Sequence, residues 1–254
     1  MTIIQETNDA YHSNKTHIGS TSVKKVISSS VAHWFGDEFR TSPSMEIGSA
    51  THAMYGEPEK NLVINSGLET RRGNAWKDQE AALKPDQILM TEGNYYRARA
   101  MTEALHNNDQ MADLWTQNGW VREASIYVDC PESGMPLKVK SDGYNERLKT
   151  MVDLKTCVSA SPRDWQSSYG PFYKYNYNLQ ACFYMHCAAL QNIQIDKFLI
   201  FAVENTPHHA TQVYAISRQT IEAARPQMFA ALQQIKQAKE TGVYTTGWDA
   251  VTIL

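Results

Sequence analysis

The chain has 254 residues, 42% of them hydrophobic and 20% charged, with a formal net charge of −3. That composition belongs to a folded protein with a sizeable core and excludes fibres and disordered tails. The weakly acidic field means that any polyanion must be met by a local basic patch or through cations. In chain order, Val23, Val26, Ile27, Val31, Trp34 and Phe35 share a helical face behind a Ser/Thr cluster, which predicts a helix from about Ser22 to Phe35. Ser42 and Pro43 read as cap and first turn of a second helix, with Gly48 and His52 stacked on one face. Gly56 to Thr91 is poorly patterned, with room for a helix near Trp76, and a helical region follows from about Asn94 to Trp115.

From Trp120 the period changes to 2. Trp120–Cys130, Met135–Tyr144 and Thr150–Cys157 read as three strands, the first two joined by a turn over Pro131 to Gly134. The alternation sets Lys138, Lys140 and Asp142 opposite Leu137 and Val139, and Asp153 and Lys155 opposite Val152 and Leu154. After a loop with Pro162 and Gly170, a helix from about Tyr175 to Leu190 aligns Tyr177, Gln180 and Tyr184. Lys197–Val203 and Gln212–Ile216 read as strands, and a last helix, Gln219 to Lys239, is expected to be interrupted at Pro226. The longest apolar run, Phe198 to Val203, is too short to span a bilayer, and Met1 to Asn8 lacks a leader pattern. The expectation is therefore no membrane partner and a cytoplasmic location. Cys130, Cys157, Cys182 and Cys187 lack a CxxC spacing and read as reduced small hydrophobes, not zinc ligands.

Asp142 and Asp153 fall on neighbouring strands of one hairpin, with Lys155 two residues after the second. If they meet, the two carboxylates can share a hard divalent cation that also takes phosphate oxygens, with Lys155 placed to orient a water or offset developing charge. Alone the pattern reads two ways, and a solvated strand face with cross-strand ion pairs is the commoner one.

Context changes the balance. Met151-Val-Asp-Leu-Lys-Thr156 sits in an αβββαβ order, after a GxxxH (Gly48 to His52) and before a QxxxY (Gln180 to Tyr184). Together these resemble the PD-(D/E)xK nuclease superfamily, in the branch of the RecB nuclease domain, and within it the RecE-like phage recombination exonucleases of the exonuclease VIII type. Tyr11-His12, Ile18 to Ser22 and Arg71 to Trp76 look similar to the same family, and the resemblance runs over roughly residues 11 to 205. It implies an α/β (α+β), restriction-endonuclease-like fold with a central mixed sheet flanked by helices. The chain would form one domain over 1–254, with a helical part at about 11–115, a catalytic core at about 119–216 and a C-terminal helix at about 217–241.

Carried onto this sequence, the resemblance implies that Asp142 and Asp153 hold metal with the Leu154 carbonyl, and that Lys155 is catalytic. It also implies that His52 is a further ligand or orienting group, that Glu123 takes the place of a first-strand acidic residue, and that Gln180 and Tyr184 line the groove. Gly19 and Ser141 depart from the pattern, standing where serine and arginine are usual. Read without the family, His52 is as readily a satisfied helix histidine, Gln180 and Tyr184 packing residues, and Glu123 a surface carboxylate. Lys24, Lys25, Arg71 and Arg72 are candidates for phosphate contact, although short basic pairs usually decorate solvated helices. Tyr169, Phe172, Tyr173, Tyr175 and Tyr177 fit either base stacking or a core and rim role.

The implied activity is magnesium-dependent 5′ to 3′ digestion of linear double-stranded DNA from its ends, with manganese substituting. The implied setting is a phage-infected or prophage-bearing host, with a single-strand annealing protein as partner and a homo-oligomeric assembly. A CRISPR-associated or helicase-linked nuclease is an alternative, but its iron-sulfur cluster is not expected, since no cysteine precedes residue 130 or follows 187. A non-catalytic DNA-binding module is the other, and the intact Asp142, Asp153 and Lys155 set argues against it.

Overall fold

A computed structural model describes residues 3–38 and 41–248. The chain opens with β1 (Ile3–Gln5), α1 (Asn8–Ser13), α2 (Ser20–Ser28), α3 (Val31–Gly36) and α4 (Pro43–Gly56). It continues with β2 (Val63–Asn65), α5 (Asn74–Ala81), β3 (Ile88–Met90), α6 (Glu92–His106) and α7 (Asp109–Trp115). Then come β4 (Trp120–Cys130), β5 (Met135–Asn145), β6 (Thr150–Cys157), α8 (Pro162–Gln166), α9 (Pro171–Lys174) and α10 (Tyr177–Leu190). The last elements are β7 (Lys197–Glu204), β8 (Thr211–Ile216) and α11 (Arg218–Thr241).

The central sheet has the order β1-β4-β5-β6-β7-β8. Its pairs are antiparallel except β6 with β7, which run parallel because a helical crossover joins them. Both faces are covered, as the mixed-sheet expectation requires. On one face Val23 of α2, Leu179 and Phe183 of α10 and Met228 and Leu232 of α11 pack with Ile126, Leu137, Val139 and Met151. On the other, Ile47 of α4, Met101 and Leu105 of α6 and Met111 of α7 pack with Val152, Leu154 and Phe201. Among the described residues no helix is long and apolar enough to cross a membrane.

The expected helix over 22–35 is two helices. The chain turns out of the helical region at Ser29 (φ −138°, ψ −94°), and Ser30 restarts it by accepting from the His33 N–H at 3.2 Å. Asn108 likewise splits the region 94–115, capping α7 through a bond from the Met111 N–H at 3.1 Å. Pro226 does not interrupt α11. It lies on the exposed face, where the Glu222 carbonyl that loses its partner stays in water, while Ala224, Met228 and Ala231 hold the inner face. β1 was not expected, and neither was the parallel pair of β2 with β3 inside 56–91.

Gly143 shows what the sheet demands of a single position. A Cβ there would stand 2.7 Å from Cη2 of Trp115 and 3.2 Å from Cε3 of Trp120. Trp115 has no free direction, being stacked on Tyr55 at 5.4 Å and edge-on to Phe201 at 6.1 Å. We expect Gly143→Ala to destabilise by about 1–3 kcal/mol, the usual cost of overpacking a closed core. Urea unfolding checks this, and an unchanged midpoint would show that the indoles yield freely.

Candidate active site

Strands β5 and β6 pair only through Asn145–Thr150, Tyr144–Met151 and Gly143–Val152. Beyond that point they part, and the first residue on each side of the gap is an aspartate, Asp142 and Asp153. The Leu154 N–H, left without a strand partner, donates to the Asp142 carboxylate. In a strand the N–H and C=O of one residue face the same edge, so the Leu154 carbonyl faces the gap as well. Across β5, Arg122 lies opposite Gly143 and Ala124 opposite Ser141, which sets Glu123 against Asp142 where the ladder is interrupted. Glu123 has φ +50°, a left-handed conformation that L residues hold only under constraint.

Helix α4 brings the imidazole. A Cβ on Gly48 would sit 3.0 Å from Thr156 Oγ1 of β6, so the missing side chain lets the helix lie close to the strand. One turn on, His52 Nδ1 stands 3.2 Å from Asp142 Oδ1. Gly56, at the end of the same helix, leaves room for Glu123, whose Oε1 would be 3.4 Å from a Cβ there. His52, Glu123 and Asp142 each offer a ligand atom within 4.8 Å of the others. Beside them is a cavity of about 10 Å³, room for roughly one water-sized sphere. Two carboxylates and an imidazole around such a space fit a divalent cation.

The electrostatics agree with that fit. Burial and the Asp142 charge push Glu123 up to about 8, with Lys140 Nζ 3.8 Å away as partial relief. Burial works against the Asp142 charge too, but His52, Lys155 and the Leu154 N–H overcome it and hold the group below the usual carboxylate range. His52 is raised despite its burial, through Asp142.

Asp153 approaches from the opposite face and lies outside that trio. Its Oδ2 is 2.5 Å from Lys155 Nζ, and its Oδ1 accepts from Gln180 Nε2 at 2.8 Å. Gln180 Oε1 in turn accepts from Lys24 Nζ at 2.9 Å, so α2, α10 and β6 are tied in one chain of polar contacts. Burial pushes Asp153 up against the pull of Lys155, and burial with the nearby Lys155 charge pushes Lys24 down to about 8. Both lysine heads lie over the Tyr177 ring, at 5.8 Å and 5.3 Å. Tyr184 is buried and its hydroxyl donates to the Lys140 carbonyl at 3.2 Å, which braces β5.

The remaining candidates lie further out. Lys25 pairs with Asp37, and Arg71 forks onto Glu46 while covering the Trp76 ring. Arg72 is exposed. Tyr169, Tyr173 and Tyr175 are exposed, whereas Phe172 and Tyr177 are half-buried. Lys140 and Tyr177, which the sequence puts on the faces of Asp142 and Gln180 without a role in the acidic chemistry, also belong to this centre. Lys140 shares the strand face of Asp142 two residues away, a signal that was present.

The αβββαβ order, with its acidic centre at the parting of two strands, defines a PDDEXK-like fold of the restriction-endonuclease type. Residues 23–247 match the profile of the PDDEXK-like domain of unknown function DUF3799, and the chain belongs to that family. The fold is also that of a candidate exonuclease from Eubacterium rectale, with TM-score 0.68 at 16% identity over 94% of this chain and 88% of that one. A phage-related exonuclease from Haemophilus somnus 129PT aligns with TM-score 0.40 at 12% identity over 89% and 96% of the two chains. No curated protein matches the sequence.

Glu123 makes the metal-free protein sensitive to pH. Its folded value of about 8 lies above the ordinary 4.5, so between the two the folded chain binds more protons than the unfolded one. Its contribution is full below the lower value and drains away as pH rises towards the upper. Asp142, His52, Lys140 and Glu57 are the charged groups that set this balance. We expect urea midpoints in chelator to fall from pH 5 to pH 8, and Glu123→Gln to flatten much of that fall.

Proposed function

We propose that this protein is a magnesium-dependent deoxyribonuclease that hydrolyses phosphodiesters of linear double-stranded DNA. The observation that carries the reading is the meeting of His52, Glu123 and Asp142 at the gap between β5 and β6, with the Asp153–Lys155 pair on the opposite face and the Lys155 charge felt at Asp142. A bound divalent cation would neutralise the phosphate and lower the pKa of a coordinated water. Glu123 and Asp142 would hold it, with the Leu154 carbonyl facing the same gap, while His52 fixes the Asp142 carboxylate through Nδ1. Gln180 fixes Asp153, which keeps the Lys155 ammonium at the gap, where it can offset charge developing on phosphate oxygens. Lys24 adds a second cation to that wall, and in this reading Lys25, Arg71 and Arg72 meet backbone phosphates, Lys25 once released from Asp37 and Arg71 once released from Glu46.

Action from a DNA end is supported by the fold shared with the Eubacterium rectale protein and by the RecE-like sequence motifs. On the same motifs we propose 5′ to 3′ polarity, production of single strands for phage recombination, a homo-oligomer, and an annealing protein that receives the product.

Linear duplex should be degraded with magnesium or manganese and spared in excess chelator, while closed circular duplex survives both. Digestion that continues in chelator would refute the metal-dependent reading. Lys155→Ala should slow hydrolysis about 10²–10³-fold, as expected when a charge-stabilising group is lost, with DNA affinity in calcium changed only a few-fold. Single-turnover rates and gel-shift titrations separate the two, and near-normal cutting would reduce Lys155 to a partner of Asp153.

A further inference from the structure

A second group of metal-ligating side chains lies away from the acidic centre. Cys130 ends β4, Glu132 sits in the turn to β5, and His186 projects from α10. Their ligand atoms all lie within 4.8 Å of one another. Cys130 Sγ is 3.4 Å from His186 Nε2 and 3.5 Å from Glu132 Oε2, and the latter two are 3.9 Å apart.

These are close to the edges of a small tetrahedron. With zinc–sulfur bonds near 2.3 Å and zinc–nitrogen or –oxygen bonds near 2.0–2.1 Å, the ligand-to-ligand edges come to about 3.3–3.6 Å. The two edges from sulfur already match, and the third closes by a small turn of the half-exposed Glu132 side chain. The ligands are also held from behind. The His186 ring is edge-on to Phe229 at 5.3 Å, and Arg225 reaches Glu132 Oε1 at 3.5 Å, which leaves Oε2 for an ion. Glu132 is exposed, so a water could complete a four-coordinate shell from that side.

We propose that Cys130, Glu132 and His186 form a zinc site that acts as a structural clamp. A sulfur, a nitrogen and an oxygen are the mixed donor set zinc prefers, unlike the hard donors at the gap. On binding, the Cys130 thiol gives its proton to solvent and the thiolate enters the coordination sphere. The clamp would join the β4–β5 turn to α10, the elements that carry Glu123, Asp142 and Gln180. Spacing concealed it, since one thiol and one carboxylate beside each other are completed by a histidine far along the chain.

Cobalt(II) tests the site on the whole protein after chelator treatment, because only a thiolate ligand gives a near-ultraviolet sulfur-to-cobalt charge-transfer band. We expect one cobalt per chain with that band and tetrahedral visible bands, bleached by equimolar zinc. Asp142→Asn should keep the spectrum and Cys130→Ser should lose it while retaining its far-ultraviolet circular dichroism. Glu132→Gln, a change at a half-exposed side chain, should weaken affinity by at least the 10- to 100-fold that roughly attends loss of an outer-sphere partner. No charge-transfer band in the wild type, or a band that survives Cys130→Ser, overturns the proposal. Should Cys130→Ser not fold, Glu132→Gln decides, and an unchanged cobalt affinity overturns it.

Discussion

The parting of β5 and β6 one residue beyond the Gly143–Val152 pair is the constraint on which this molecule depends. Two strands that separate inside a sheet leave backbone groups without partners, and a buried N–H left unpaired is costly. Here the Asp142 carboxylate takes the Leu154 N–H, so a side chain replaces a strand. That substitution turns the carboxylate into the gap and fixes where α4 must deliver His52 and where Glu123 must stand.

The second consequence is electrostatic. Carboxylates brought together out of water cannot all stay charged at ordinary values, and the protein separates them by surroundings. Asp142 keeps its charge through an imidazole, an ammonium and a backbone donor, whereas Glu123, with Lys140 at a longer distance, is driven up. Asp153, raised by burial and by the Asp142 charge, is steadied by Lys155 and Gln180. The arrangement is destabilised by its own crowding, and a bound cation would relieve it.

Much of this was legible in the sequence, because period-2 alternation marked β4, β5 and β6 almost to the residue and parity assigned Asp142, Asp153 and Lys155 to faces. The GxxxH spacing also carried a physical meaning, since a side chain at Gly48 would press on Thr156 of β6. The parting of the strands was not legible, for pairing that stops is a property of the assembled sheet and not of either segment. Nor was the left-handed turn at Glu123, a residue whose type gives no hint of it. The helix breaks at Ser30 and Asn108 were marked by good capping residues, but an apolar face continuing past them hid the signal. β1 is three residues long and has no pattern of its own until β4 is there to receive it.

The polar chain from Lys24 through Gln180 to Asp153 spans 156 positions of sequence in its first contact alone. A ribosome-bound chain that has emerged only through β6 already holds both aspartates and Lys155, yet lacks the amide that ties Asp153 in place. The acidic centre therefore acquires its final geometry late in synthesis, when α10 docks on the sheet and closes a loop of great length. Truncated or stalled products carry the acidic residues without the arrangement, and the completeness of the chain becomes a condition for the order of its centre.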